Sequence, residues 1–125
     1  MEHTPINITM VSIPVKDQDE ALKFYTEKLG FKLETDAPFG SQRWIELSIP
    51  GTEMHISLFT VPGQEDRIGT FSNIIYSCKE IQKVYETLKG RGVEFIEPPK
   101  KQPWGGTTAI FKDADNNTFC LSEAQ

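Results

Sequence analysis

Two histidines, two cysteines and 18 acidic side chains bound the chemistry open to this 125-residue chain. His3 stands in a terminus expected to fray, which leaves His55 as the one imidazole on a predicted element. The turn Pro50-Gly51-Thr52-Glu53 joins two strand patterns, and the simplest hairpin through it sets Glu46 opposite Ser57 and Trp44 opposite Phe59. Strand side chains alternate faces, so His55 and Phe59 follow Ser57 to one side. Glu46 and His55 are therefore the candidate catalytic couple, a carboxylate and an imidazole that could exchange a proton with a substrate. The same two residues also suit a hydrogen-bonded or exposed strand pair. A one-residue slip of register would turn Trp44 and Glu46 outward.

The rest of the chemical inventory excludes more than it suggests. Asp113, Asp115 and Asn117 have the opening spacing of a calcium loop, but the downstream glycine and bidentate glutamate are missing, so the segment reads as a turn. Cys78 and Cys120 form neither a disulfide framework nor a cysteine zinc motif and are expected to be reduced. No glycine-rich phosphate loop opens a helix, no Gly-x-Ser-x-Gly elbow is present, and Gly105-Gly106 reads as a flexible turn. The net charge of -5 comes from scattered acids without a basic stripe, which argues against nucleic acid and leaves neutral or cationic small molecules. No apolar run reaches the length of a membrane helix and the first residues lack the features of a secretory signal, so a cytoplasmic protein is expected, with no membrane partner.

The elements that must position these residues occur twice. Ile6 to Val15 reads as a strand; a helix capped by Asp17 or Asp19 follows, with Ala21, Leu22, Tyr25 and Leu29 on its buried stripe and Gly30 as its stop. Phe31 to Thr35, Arg43 to Ile49 and Met54 to Val61 are predicted strands, with a loop over Asp36 to Ser41. The second copy runs through a strand at Phe71 to Cys78 and a helix from Glu80 to Lys89 with a stripe of Ile81, Val84, Tyr85 and Leu88. Strands follow at Val93 to Glu97, Thr107 to Phe111 and Thr118 to Ser122. Gly30 and Gly92, at the two helix exits, are 62 positions apart. Units this short cannot each close a core, so residues 1–125 are expected to form one α+β domain of two tandem βαβββ modules, about 6–62 and 70–124.

Several strings in this order resemble the vicinal oxygen chelate superfamily, which includes glyoxalase I, extradiol dioxygenases, fosfomycin-modifying enzymes and bleomycin-resistance proteins. They are Val15-Lys16-Asp17 before the first helix, Phe24-Tyr25 with Leu29-Gly30-Phe31 at its end, Arg91-Gly92-Val93-Glu94-Phe95, and Phe111 to Asn117. Ala114 and Asn116 depart from the proline and glycine usual in the family, though both still permit a turn. The resemblance implies that the sheets curve into a cup holding a ligand, with four metal-ligand positions that fall on Met10, Ser57, Asn73 and Cys120. None is His or Glu, so no metal is expected and no cofactor is assigned.

The implied cup lining is then aromatic and apolar with a few polar groups. Ile8 and Ser12 lie beside Met10, Phe71 and Ile75 beside Asn73, and Thr118 and Ser122 beside Cys120, while Ile56 and Leu58 face the helices. Trp104 and Phe39 either close the rim or serve packing, and Cys120 reads as a small buried residue. Two functions follow from the resemblance. One is a metal-free protein of the bleomycin-resistance type that sequesters a small, neutral or cationic aromatic compound through Met10, Trp44, Ser57, Phe59, Asn73, Trp104 and Cys120. The other is a lyase, isomerase or dioxygenase of the superfamily using an unorthodox metal site or the Glu46 and His55 couple. A homodimer is expected, because family cups are often completed by a second chain.

Overall fold

The computed structural model describes residues 2–124. The first half runs β1 (Met10–Ile13), α1 (Gln18–Lys23), β2 (Lys32–Phe39), β3 (Gln42–Ser48) and β4 (His55–Leu58). The second runs β5 (Phe71–Cys78), α2 (Ile81–Gly90), β6 (Phe95–Lys101), β7 (Thr107–Lys112) and β8 (Thr118–Glu123). Each half is a four-stranded mixed sheet, ordered β1-β4-β3-β2 and β5-β8-β7-β6, in which the first strand runs parallel to the last. This is the expected α+β arrangement of paired βαβββ units.

Local chemistry explains most of the boundaries. The Asp17 carboxylate accepts from Glu20 N at 3.0 Å, capping α1 as predicted. The helix then widens into a π-helical turn, Phe24–Lys28, closed where Leu29 N donates to Phe24 O. That extra residue per turn carries Phe24 and Tyr25 together into the interior, and Gly30, at φ 78°, ends the helix. β2 is longer than the sequence indicates. It continues through Asp36, Ala37 and Pro38 to Phe39, where a loop was expected, because Pro38 lies in an edge strand and needs no donor. β6 does likewise across Pro98 and Pro99, with breaks in register around them. β1 is shorter than expected: Ile6 and Ile8 are 72% and 77% exposed and lie outside any strand, so Ile8 does not stand beside Met10 on the sheet.

One apolar cluster draws on both halves: Ile13, Ala21, Tyr25, Ile45, Leu47, Ile56 and Leu58 from the first, Ile81, Leu88, Ala109, Phe111, Phe119 and Leu121 from the second. Tyr25 is fully buried, its ring packs edge-on to Phe119, and its hydroxyl donates to Asp113 Oδ2 at 2.7 Å. Burial first, then the charge of Asp113, pushes the Tyr25 phenol well above its ordinary value. Asp113 also accepts from the backbone of Asp115 and Asn117 and from Asn117 Nδ2, while Asn117 Nδ2 donates across to Pro14 O. The five-residue turn is thus a joint between halves as well as a reversal of the chain. Asn116, at φ 66°, supplies the left-handed residue that glycine would otherwise provide. All these contacts lie on the helix sides of the sheets, leaving the opposite faces uncovered.

Candidate functional site

On the uncovered face of the first sheet, the antiparallel pairing of β3 and β4 sets Glu46 against Ser57, the register expected from the turn. β1 adds Met10 beside His55 and Ser12 beside Ser57. His55 Nδ1 and Glu46 Oε2 lie 2.5 Å apart, and Trp44 Nε1 donates to Glu46 Oε1 at 3.3 Å. One carboxylate therefore orients both an imidazole and an indole. The hydroxyls of Ser12 and Ser57 meet at 2.6 Å, with Ser57 fully buried. Farther along, the rings of Trp44, Phe59 and Phe39 form a triangle with centroids 5.4, 5.5 and 6.1 Å apart. The face thus has a polar end and an aromatic end, joined by Trp44.

Residues behind the face hold this geometry. Gln18, at the start of α1, donates to Arg43 O and Leu58 O and accepts from Arg43 N, tying the helix to the strand positions next to Trp44 and Phe59. Gln42 grips Thr60 through its backbone N and O, and the Thr60 hydroxyl bridges the Val15 amide and carbonyl. Arg43 pairs with Asp36 and Asp19, and these hydrogen bonds hold the Asp36 carboxyl below its ordinary value. Sequence reading missed Gln18 and Thr60, since a glutamine at a helix start and a threonine past a strand carry no signature of their partners.

Asn73 and Cys120 belong to the second sheet. Asn73 has a φ of 63° within a stretch where the β5–β8 register shifts, and Cys120 pairs with Ile110 and Ile75. Among the described residues, no hydrogen bond, ion pair or ring contact joins this face to the first. Ile75 is 66% exposed and Phe71 47%. Trp104 lies over Gly106, where even a Cβ would collide with its ring, yet it remains 71% exposed. The segment is a turn, as expected, closed by Gly105 N donating to Gln102 O, and its Gly106 seats the indole. Concavities of about 590, 670 and 190 Å³ among the described residues are lined by residues other than Glu46 and His55.

A family-type metal does not fit the residues at the four positions. The Ser57 hydroxyl is engaged by Ser12, Met10 and Asn73 offer neutral donors, and burial followed by the charge of Glu97 pushes the Cys120 thiol up, disfavouring the thiolate that zinc takes. Among the described residues no three His, Cys, Asp or Glu side chains gather as a metal-holding group. Asp113 and Asp115, the apparent calcium-loop residues, instead accept hydrogen bonds from the protein itself, Asp115 from the amides of Lys16 and Asp17. Both cysteines are unpaired. No helix among the described residues is long and apolar enough to cross a membrane.

Residues 7–121 match the model of the Glyoxalase/Bleomycin resistance protein/Dioxygenase superfamily. The uncharacterized protein YetH of Bacillus subtilis (strain 168) is 35% identical over 93% of this chain and 97% of its own length. A member of that superfamily from Sphaerobacter thermophilus DSM 20745 superposes with a TM-score of 0.85 at 32% identity, covering 95% of this chain and 98% of the other. TnmS3, an antibiotic binding protein from Streptomyces sp. CB03234, gives a TM-score of 0.86 at 30% identity, covering 98% and 100%.

Proposed function

The chain belongs to the Glyoxalase/Bleomycin resistance protein/Dioxygenase superfamily, and we propose that within it this is a metal-free cytoplasmic binding protein that sequesters a small aromatic compound on the first sheet's open face. The observation that carries this reading is the continuous run from the Glu46, His55 and Trp44 network to the Trp44, Phe59 and Phe39 rings. Polar groups that fix orientation beside aromatic rings that supply contact area are the usual makeup of a small-molecule site. The antibiotic-binding role printed for TnmS3 supports the same direction. An open face gives a ligand one wall only. The second wall is the open face of another copy, where Ile75, Phe71 and Trp104 present apolar surface and Cys120 and Asn73 the remaining polar groups.

Titration of the purified protein with planar aromatic compounds, followed by tryptophan emission and calorimetry, tests this reading. Saturable binding without consumption of the compound is expected. Elemental analysis finding one tightly held metal per chain would remove it. The contact between His55 and Glu46 favours a second reading, metal-free acid–base catalysis on the same face. In that case Glu46→Gln or His55→Ala abolishes a measurable turnover while the fold persists, and full activity in both variants eliminates it.

A further inference from the structure

We infer that the ligand class of this face is an aromatic molecule bearing an acidic hydroxyl, held with that hydroxyl at Nε2 of His55. The inference rests on the binding role proposed above and gives it a chemistry. Glu46 takes up Nδ1 of His55, so the tautomer it favours in the neutral ring carries the proton at Nδ1 and a lone pair at Nε2. No described residue is hydrogen-bonded to Nε2, and the side chain is 34% exposed on the open face. Competing acceptors at this end are already engaged. Glu46 serves His55 and Trp44 together, and the hydroxyls of Ser12 and Ser57 serve each other. Met10, the neighbour on β1, offers only a thioether.

The aromatic end fixes the other half of the class. His55 and Phe59 stand four residues apart along one strand face, about 13 Å, and the Trp44 indole fills the interval as it reaches back to Glu46. A rigid aromatic rod with a hydroxyl at one end matches this span. The hydroxyl suits Nε2, which presents a lone pair while Glu46 engages Nδ1. A neutral imidazole accepts the O–H. A methyl ether of the same shape has no proton to give.

The test uses 4-(4-nitrophenyl)phenol and its methyl ether as probes against the full chain, with binding read by calorimetry. The buffer is held where the free phenol is un-ionised. The phenol should bind about tenfold more tightly than the ether. His55→Gln should remove the preference while leaving the ether's affinity, Glu46→Gln should reduce the preference, and Phe59→Ala should weaken both probes alike. Circular dichroism checks that each variant is folded. Equal affinity for the two probes, or a preference that survives His55→Gln, overturns the hydroxyl assignment and leaves the aromatic face standing. Failure of both probes to bind overturns the assignment together with the binding role beneath it.

Discussion

Four donors converge on the carboxylate of Asp113: the Tyr25 hydroxyl, the amides of Asp115 and Asn117, and Asn117 Nδ2. Asp113→Ala orphans a buried hydroxyl and the turn's amides at once, and is expected to cost about 2–4 kcal/mol in urea denaturation. Asp115 makes stability depend on pH. Its Oδ2 is buried without a partner, and desolvation, the largest cause, raises its carboxyl above the ordinary value despite the amides of Lys16 and Asp17. The folded protein therefore holds this proton more tightly than the unfolded chain. Its contribution to stability is complete below the ordinary carboxylate value and is lost as pH rises through the raised one. Asp115→Asn is expected to flatten that part of the decline, read as the change in denaturation midpoint between mildly acidic and neutral buffer. The spacing of these residues in sequence showed a turn, and the turn is there. It did not show that Tyr25, 88 residues away, completes it, because a partner so distant leaves no local pattern.

Helix exits repeat between the halves down to the backbone angle, with Gly30 at φ 78° and Gly92 at φ 89°. Gly92→Ala forces a side chain into the left-handed region, with its Cβ 3.3 Å from Lys28 Nζ, and should cost about 1–2 kcal/mol. Gly90 lies in the last turn of α2 with open space around it, so Gly90→Ala should stabilise by about 0.5–1 kcal/mol. The same denaturation series measures both, and the opposite signs separate conformational need from helix propensity. These exits were legible because glycine at a helix stop is a local demand. The π-helical turn at Phe24–Lys28 was not, since its register is set by carrying Tyr25 toward Asp113 and Phe119 in the other half. The pairing of Glu46 with Ser57 was legible, because the short turn Pro50-Gly51-Thr52-Glu53 fixes it. The extension of β2 to Phe39 was hidden by Pro38, which reads as a breaker until its edge position is known.

The whole molecule buries its helix sides and leaves both sheet faces open, with Ile75 66% exposed on the second. If a second copy covers them, Ile75→Asp should leave the folded chain within about 0.5 kcal/mol of its parent while lowering the mass seen in sedimentation to one chain. Affinity for aromatic probes should fall about tenfold with it. A variant that stays dimeric and binds normally would place the contact elsewhere. One of the two outer strands of each sheet, β2 in the first and β6 in the second, carries proline, at Pro38 and at Pro98-Pro99. Neither can offer a full row of amides to an incoming strand, so runaway fibre growth by sheet extension is blocked along these margins.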